Sequence, residues 1–409
     1  MCVHKQLTSY LLTHRLISID QFAYLKQHST QTSLHRLVDD ILENINEKEN
    51  TGLCFLDIKK CFDTIDHNLL LFKLNKYGIK GNELAWFKSY LTNRTQVVTF
   101  NNKVSSKKLI NIGVPQGTIL GPILFLIYVN DLSNCVRNAH VNIYADDVVI
   151  YTSDNNINIL QSSLQDTLNS VYEWYNKNRL ILSIDKCASM LINNKKTKSN
   201  DLLHLFLGSK PISHVNDMKY LGLIIDDKLQ WREHIAHVMQ KVNINNYRLR
   251  KFNKEIPTDL KLKIHNAVSV PVIDYASTVW GNFSKSNTYM INKLEHMAAR
   301  AISGNFDYIN TRGKDLMRQL NMPTFSYRQK YSTAVLMYKT IHGMAPDHIT
   351  NNITLLTDIT KREPRSYNKL NLYVPRANCQ LFKHSLMYNG PKIWNNLQPD
   401  IKMACSIPV

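Results

Sequence analysis

Apolar residues recur at helical spacing in several stretches of the chain. Between residues 30 and 45 the apolar positions fall on one helical face, which predicts an amphipathic helix with Ser29 or Thr30 as its N-terminal cap. The same spacing predicts helices over residues 7–19, 62–77, 84–91, 118–128 and 157–178. From residue 230 the pattern stays helical to residue 303, with breaks near Pro257 and Pro271, and the remainder is helical with loops.

Short runs rich in Val, Ile, Leu and Tyr separate these helices and predict strands. The predicted strands cover residues 53–58, 96–100, 109–114, 189–192, 206–207 and 218–225. Two further runs, on either side of Ala145, predict a β-hairpin over residues 141–151. Asp57 then lies at the end of a buried strand, and Asp146 and Asp147 lie at the tip of the hairpin.

The adjacent acids at the hairpin tip have two interpretations. A solvated turn accommodates them, because Asp is common in turns. In a sheet core, charged groups need a partner instead, and a divalent cation is one. If the strand that ends at Asp57 joins the same sheet, three carboxylates converge, as is needed to hold two Mg²⁺ ions about 4 Å apart. Asp63 and Asp66 lie in the helix predicted next and are expected to face away, as capping or solvated acids.

Charge and composition indicate the class of partner. The chain of 409 residues carries a formal net charge of +18 and is 44% hydrophobic. It can therefore form two or three domains with a sizeable core, and its basic excess favours a polyanion such as nucleic acid. The alternative is a basic protein without such a partner.

Several classes of protein do not fit the sequence. Seven cysteines, an odd number without a Cys-x-x-Cys pair, indicate a reducing compartment and no disulfide framework. His234 and His237 are interpreted as part of a solvated helix face rather than a zinc site. The longest apolar run, residues 119–129, is interrupted by Gly121 and Pro122 and is too short to cross a membrane. The N-terminus does not resemble a signal peptide, so we expect an intracellular protein of the nucleus or cytoplasm that is not secreted.

Three motifs follow one another along the chain. They are Phe-Leu-Asp-Ile-Lys-Lys-Cys-Phe-Asp at 55–63, Val-Pro-Gln-Gly at 114–117 and Tyr-Ala-Asp-Asp at 144–147. Together they resemble motifs A, B and C of reverse transcriptases. Residues 91–96, 113–122, 128–132 and 219–222 are similar to segments of non-LTR (LINE-type) retrotransposon polymerases, and the resemblance extends over residues 20–300.

This resemblance implies an α+β fold of the right-hand polymerase type, with fingers, palm and thumb. An antiparallel palm sheet would be followed by a mainly helical C-terminal region. Residues 1–228 would form the palm and part of the fingers, 229–305 a helical thumb-like region, and 306–409 a helical region of unknown role. The implied activity extends a DNA primer on an RNA template with dNTPs. Two Mg²⁺ ions, or Mn²⁺, would be the cofactors, and no membrane takes part.

The resemblance also assigns roles to single positions. Asp57, Asp146 and Asp147 match the metal-binding acids of the palm. Phe62 matches the aromatic steric gate that clashes with a ribose 2′-hydroxyl, and Lys186 matches the lysine that protonates pyrophosphate. The other nucleotide-binding positions are Ile58, Gln116 and Gly117. The nucleic-acid-binding positions are Arg94 on the template backbone and Tyr220, Leu221 and Gly222 in the primer grip.

The chain departs from the family pattern upstream of the palm. The family's fingers motif reads Gln-x-Gly-Phe-Arg, but here Ala23 replaces the glycine and Leu25 replaces the arginine. The upstream fingers segment and the endonuclease domain are not recognised, so we expect an N-terminally truncated copy. One alternative function is therefore a degenerate, catalytically inactive relic that still binds RNA or RNA–DNA hybrid. An RNA-dependent RNA polymerase, which Phe62 disfavours, and a basic structural protein are the others.

Overall fold

The computed structural model describes residues 2–193, 202–252, 255–282, 284–359 and 370–404. The chain divides into two compact units. The sheet unit comprises residues 1–33 and 49–215, and the helical unit comprises residues 34–48 and 216–409. The division by role into 1–228, 229–305 and 306–409 stays a prediction.

Helices and strands alternate through the sheet unit, whereas helices predominate in the helical unit. The helices are α1 (Cys2–Thr13), α2 (Thr30–Asn46), α3 (His67–Lys76), α4 (Gly81–Leu91), α5 (Leu120–Val129), α6 (Ile157–Lys177), α7 (Arg232–Lys251), α8 (Thr258–Val268), α9 (Val270–Asp274), α10 (Ser277–Trp280), α11 (Lys285–Ser303), α12 (Gly313–Gln319), α13 (Phe325–Ile341), α14 (Asp347–Thr350), α15 (Leu356–Ile359), α16 (Leu386–Asn395) and α17 (Pro399–Lys402). The strands are β1 (Asn50–Leu56), β2 (Arg94–Gln96), β3 (Thr99–Phe100), β4 (Lys103–Val104), β5 (Lys108–Ile110), β6 (His140–Tyr144), β7 (Asp147–Asp154), β8 (Ala188–Ile192), β9 (Phe206–Leu207), β10 (Lys210–Pro211), β11 (Ser213–His214), β12 (Asp217–Tyr220) and β13 (Leu223–Asp226). Short 3₁₀ helices lie at Asn130–Cys135, Ile184–Lys186 and Leu381–His384.

The sheet unit is built on a five-stranded sheet in the order β11-β8-β1-β7-β6. The central strand β1 pairs antiparallel with β7 on one side and with β8 on the other. Strands β6 and β7 form the predicted hairpin, while β11 joins β8 in parallel. Residues of β1 and of the apolar helix α5 are buried in the same core. The predicted antiparallel sheet is therefore confirmed.

Helix α6 approaches this sheet closely at one glycine. A β-carbon on Gly52 of β1 would lie 2.5 Å from a methyl carbon of Leu160. Leu160 and Leu164 of α6 are fully buried, so neither side chain can readily move away from an added β-carbon. Glycine at position 52 therefore permits the contact between helix and strand, as glycines within strands often do.

Two predicted helices have the wrong boundaries. Helix α1 spans Cys2–Thr13 rather than residues 7–19. The helix predicted from Phe62 begins only at His67, because Asp66 caps it: its carboxylate accepts a hydrogen bond from the N–H of Leu69 at 2.9 Å. The capping role expected of Asp66 is confirmed, and residues 59–64 form turns instead of helix.

The continuous strand predicted over residues 218–225 is also wrong. Strands β12 and β13 form a hairpin there, with Leu221 and Gly222 in the turn at φ values of 44° and 85°. Gly222 takes the left-handed conformation at little cost, so this glycine is the feature of the sequence that indicates the turn. The strand predicted over 96–100 is likewise interrupted, between β2 and β3.

The helical unit packs its helices around buried aromatic and charged groups. Trp280 of α10 is buried and its ring stacks on Phe325 of α13, with centroids 5.3 Å apart. Arg328 donates two hydrogen bonds to Asp274, at 2.7 and 2.9 Å, and lies 2.8 Å from Glu295. These mostly buried charges are therefore paired, as charges removed from water need to be.

The solvated helix face expected at His234 and His237 is wrong for His234. Its ring is buried in the helical unit, 5.0 Å from the ring centroid of Trp280. Burial lowers the pKa of His234 to about 4, which keeps the ring neutral near neutral pH. The spacing of apolar residues did not reveal this, because histidine fits both a solvated and a buried helix face.

Two further observations concern the described residues of both units. None of the described helices combines the length and the apolar character that crossing a membrane requires. The cysteines that are free thiols in the described ranges are Cys2, Cys54, Cys61, Cys135, Cys187 and Cys379.

Candidate active site

Three carboxylates meet at one end of the central strands in the sheet unit. Leu56, the last residue of β1, pairs with Val148 of β7, so Asp57 and Asp147 each lie next to this pair at the same end of the two strands. Asp146 directly precedes Asp147, in the turn of the β6–β7 hairpin. The structure thus brings together the three acids that the sequence motifs single out.

The turn that carries Asp146 has a strained backbone. Ala145 adopts a φ of 55°, in the left-handed region that is costly for residues other than glycine. The Oε1 atom of Gln21 accepts hydrogen bonds from the N–H groups of Ala145, at 3.2 Å, and of Ala23, at 2.9 Å. Gln21 is buried, and its Nε2 has no partner among the described residues. The buried side chain of Gln21 therefore stabilises the turn through its hydrogen bond to the backbone of Ala145.

The segment around Gln21 also runs along the edge of the sheet. The N–H of Phe22 donates to the carbonyl oxygen of Ile143 at 2.8 Å, and the N–H of Ile143 donates to that of Asp20 at 2.9 Å. These bonds cover part of the outer side of β6, which would otherwise present unpaired backbone groups. The segment and the β6–β7 hairpin are thus joined by backbone and side-chain hydrogen bonds.

The acids repel one another electrostatically. Desolvation, followed by the charges of Asp146 and Asp57, raises the pKa of Asp147 to about 6. The side chain of Asp147 is nevertheless open to solvent, so a cation can reach it. Burial also raises the pKa of the Cys61 thiol to about 12, and this thiol is hydrogen-bonded to Asp146. The site therefore favours a bound cation.

Lys186 reaches the same site through an extension of the strand pairing. The N–H of Lys59 donates to the carbonyl of Ile181, and the N–H of Ser183 donates to that of Asp57, each at 2.8 Å. This pairing brings the following 3₁₀ turn close, so that Nζ of Lys186 lies 3.9 Å from Oδ2 of Asp57. Both side chains are well exposed, which makes the ion pair weak and Lys186 able to move.

Phe62 lies in the turn that follows Asp57. Its half-buried ring stacks on Phe125 of α5, with centroids 4.6 Å apart. The carbonyl of Phe62 accepts a hydrogen bond from the N–H of Val114 at 2.9 Å. Gly113, with φ of 82°, allows this approach, because a β-carbon there would lie 2.8 Å from the carbonyl oxygen of Asp63. The backbone hydrogen bond between Val114 and Phe62 therefore joins motif B to motif A.

Gln116 is oriented by Asp63, an acid to which the sequence motifs gave no role in the site. The Nε2 atom of Gln116 donates to Oδ1 of Asp63 at 2.7 Å, and both side chains are exposed. Gly117 follows with φ of 73°, and among the described residues, apart from its two chain neighbours, no atom lies within 4 Å of where a β-carbon would stand. The loop is therefore open on this side, where a ligand could approach its backbone.

The remaining predicted site residues differ in their surroundings. The side chain of Ile58 is buried in the core, so only its backbone could contact a nucleotide. Arg94 begins β2 and pairs with Ile110. Tyr220, Leu221 and Gly222 belong to the helical unit, where the hydroxyl of Tyr275 donates to the carbonyl of Leu221 at 2.6 Å.

The three carboxylates suit a hard divalent cation for which the protein supplies only some of the ligands. Within the described ranges, no three His, Cys, Asp or Glu side chains are arranged closely enough to hold a metal ion by themselves. Mg²⁺ typically binds one or two carboxylates together with water and substrate phosphates. Asp57, Asp146 and Asp147 are all accessible to solvent, at least in part, and suit that mode of binding.

Sequence reasoning missed three residues at this site. Gln21 begins the segment that departs from the family's fingers motif, Asp63 is expected to be a capping or solvated acid, and Cys61 is one of the seven cysteines without a Cys-x-x-Cys pair. Motif spacing could have identified Asp63 and Cys61, which lie inside motif A. The contact of Gln21 with Ala145 depends on tertiary structure, and no local pattern indicates it.

Comparisons with known proteins agree with this geometry. Residues 2–225 match the family described as reverse transcriptase (RNA-dependent DNA polymerase). The RNA-directed DNA polymerase from mobile element jockey of Drosophila funebris is 32% identical over 336 residues, which cover 79% of this chain and 36% of that protein. The probable RNA-directed DNA polymerase from transposon BS of Drosophila melanogaster is 28% identical, with the same two shares. The chain spans little more than a third of the length of these relatives.

A likeness to solved structures accompanies these matches. Telomerase from Candida albicans, in complex with a fragment of telomeric RNA, has a TM-score of 0.46 and 12% identity, covering 79% of this chain and 58% of that chain. The match to the family and the antiparallel sheet confirm the predicted α+β polymerase fold, and the curated relatives confirm the resemblance to non-LTR retrotransposon enzymes. Because the family match covers more than half of its length, the chain belongs to the reverse transcriptase family.

Proposed function

We propose that this chain catalyses RNA-directed DNA synthesis, extending a DNA primer on an RNA template with dNTPs. The observation that carries the proposal is that Asp57 and Asp147 both lie next to the Leu56–Val148 pair, with Asp146 in the adjoining turn. In the reaction, the primer 3′-oxygen forms a bond to the α-phosphorus while the bond to the β-phosphate breaks and pyrophosphate leaves. The proton of the 3′-hydroxyl passes to solvent.

Asp57, Asp146 and Asp147 would hold two Mg²⁺ ions, for which Mn²⁺ could substitute. When bound, such ions supply positive charge at the attacking and leaving oxygens. The raised pKa of Asp147 supports this assignment, because desolvation and then the charges of Asp146 and Asp57 disfavour its carboxylate form, which a bound cation would stabilise. Catalysis of phosphoryl transfer depends mainly on positioning the reactants and stabilising charge, and these side chains would contribute to both.

Lys186 would donate a proton to the departing pyrophosphate. Its ammonium group already lies beside Asp57 and is exposed. Since a surface ion pair of this kind is weak, Lys186 can leave Asp57 for the more highly charged triphosphate.

Phe62 and Gln116 would select and place the incoming nucleotide. The ring of Phe62 is fixed by its stacking on Phe125, so it cannot turn aside freely from a ribose 2′-hydroxyl. Asp63 fixes the amide of Gln116, while the backbone of Ile58 and the open loop at Gly117 would complete the contact. The site would thereby favour dNTPs over rNTPs.

Arg94 would bind the template backbone, and Tyr220, Leu221 and Gly222 would form the primer grip. The net charge of +18 supports a polyanionic ligand. The tight turn at Leu221 and Gly222 leaves a compact backbone loop, which suits a contact with a sugar–phosphate chain.

Primer extension on an RNA template tests the proposal. Purified chain should extend a labelled DNA primer with Mg²⁺ and dNTPs, whereas Asp57→Asn and Asp146→Asn should lose synthesis by at least about 10²-fold, or about 2.7 kcal/mol in the barrier. Both variants should still bind an RNA–DNA hybrid. Equal synthesis by either variant and the parent would contradict the assignment of the active site.

A hybrid-binding relic without catalysis is the second candidate, and one observation favours it. Leu25 stands where the family has arginine, and its side chain packs against the core instead of presenting a cation. If the parent chain makes no DNA but still binds hybrid, this second function is the correct one.

A further inference from the structure

An exposed two-stranded ribbon extends between motifs A and B. Strands β2 and β5 pair at its base, from Arg94 opposite Ile110 to Gln96 opposite Lys108, and β3 pairs with β4 at its tip. The N–H of Ser105 donates to the carbonyl of Val98 at 2.9 Å, which continues the pairing between the two ladders. The register slips by one residue between them, as in a β-bulge.

Local sequence explains why the ribbon forms. Asn101 and Asn102 connect β3 to β4 with φ values of 46° and 61°. Two successive residues with positive φ are typical of the type I′ turn, which matches the twist of a hairpin, and asparagine tolerates that conformation. The ribbon is thus a property of its own sequence as well as of the sheet unit.

Large apolar side chains lie in water along the ribbon. The exposed fraction is 74% for Phe100, 66% for Val98, 63% for Val104 and 59% for Leu109. Apolar residues exposed singly are ordinary, but a group on one projecting element marks an interaction site. Some partner is therefore expected to cover this ribbon.

The charge of the ribbon identifies the kind of partner. Residues 94–112 contain Arg94, Lys103, Lys107 and Lys108 and no acidic residue. Lys103 pairs directly across from Phe100, so apolar and cationic groups share one face. A second copy of the same ribbon would set like charges against each other, which disfavours self-association.

We propose that this ribbon, residues 94–112, binds the sugar–phosphate backbone along the shallow minor groove of an RNA–DNA hybrid. The inference rests on the proposed function and adds a surface beyond Arg94. An A-form duplex has a wide, shallow minor groove bordered by phosphates. The lysines meet the phosphates, and Phe100 and Val98 cover the apolar faces of the sugars.

Two ribbon variants and one control test the proposal by binding alone. The first replaces Lys103, Lys107 and Lys108 with Gln. The matched control replaces Lys5, Lys76 and Lys210 with Gln, since these are exposed lysines of the sheet unit outside the ribbon. The second variant is Phe100→Ser, which removes a mostly exposed ring and should leave the fold intact. Fluorescence anisotropy with labelled hybrid is recorded over a range of salt, without Mg²⁺ and dNTPs.

The salt dependence gives the expected result. The ribbon triple variant should lower the slope of log K against log salt by about 3, because each lysine that leaves a phosphate removes about one unit. The control should keep most of the slope. Phe100→Ser should weaken hybrid binding while the slope stays the same.

Three outcomes would overturn the inference. One is an equal loss of slope in the control, and another is unchanged hybrid binding by both ribbon variants, which would point to a protein partner. The third requires labelled single-stranded RNA as a second probe: if the ribbon variants weaken binding of that probe alone, the duplex is excluded. Because the assay requires no synthesis, a chain that makes no DNA but binds hybrid through the ribbon would refute the proposed function and keep this inference.

Discussion

The side-chain oxygen of Gln21 accepts a hydrogen bond from the backbone N–H of Ala145, the residue that precedes Asp146 and Asp147. A residue of the segment along the sheet edge thus controls the turn that carries two of the three acids. The turn needs such support, because Ala145 has a positive φ. Gln21 is accordingly expected to position the catalytic acids without touching substrate.

Gln21→Leu should impair synthesis by loosening this turn. The substitution keeps the side chain's approximate size but leaves the N–H groups of Ala145 and Ala23 without their acceptor, at a cost of about 1–3 kcal/mol each. We expect kcat to fall about tenfold or more, the KM for dNTP to change little, and the Mn²⁺ concentration for half-saturation to rise. Steady-state primer extension and Mn²⁺ titration followed by electron paramagnetic resonance measure these effects.

Gln6→Leu is the matched control, because Gln6 is an exposed glutamine on α1 of the same sheet unit. It should behave like the parent chain. Unchanged kcat and Mn²⁺ binding in Gln21→Leu would show that the turn holds its conformation without Gln21.

Metal-free chain should gain stability from Asp147 as the pH falls. The pKa of Asp147 is raised to about 6 by desolvation and by Asp146 and Asp57, whereas its ordinary value is 3.8. The folded state therefore binds this proton more tightly than the unfolded state does. Above the pKa of the folded state the charged carboxylate destabilises the fold, and this destabilisation is lost as the pH falls toward the pKa of the unfolded state. The Tm of the parent, relative to that of Asp147→Asn, should rise between about pH 6 and about pH 4. A difference that stays constant with pH would show that Asp147 titrates normally.

Phe62→Ala should relax the selection of dNTPs over rNTPs. Removing the ring opens space for a ribose 2′-hydroxyl, so the ratio of kcat/KM values should fall about 10- to 100-fold, chiefly through a better KM for rNTP. Phe62→Tyr keeps the ring and its stacking on Phe125, and it should discriminate as the parent does. Discrimination that survives in Phe62→Ala would place the steric gate elsewhere.

Gly113→Ala should destabilise the sheet unit more than Gly117→Ala. Both glycines have positive φ, which costs other residues about 1–3 kcal/mol, but only at Gly113 would a β-carbon collide with the backbone of Asp63. Urea unfolding should give the larger loss of unfolding free energy for Gly113→Ala. Equal losses would mean that Asp63 moves aside at little cost.

Local sequence patterns predicted the elements better than the contacts between them. The hairpin at residues 141–151 follows from β-branched runs on either side of Ala145, and Asp57 follows from the end of a buried apolar run. The helix predicted from Phe62 begins later than expected, because Asp66 caps it and the apolar spacing of the preceding residues does not extend the helix past this cap. Gln21 and Ala145 meet only through the fold, and the burial of His234 depends on packing that a single helix does not encode.

Gly52 has a consequence for how copies of such a chain could lose activity. Because a β-carbon at position 52 would collide with Leu160, Gly52 favours one register of β1 beneath α6, and the same strand ends directly before Asp57. A shift by one residue would bring Thr51 or Leu53 beneath Leu160 and would also carry Asp57 away from Asp147. Small insertions or deletions within β1 would therefore disrupt folding and the active site together. Substitution of an acid, in contrast, can silence the chemistry while the folded chain persists.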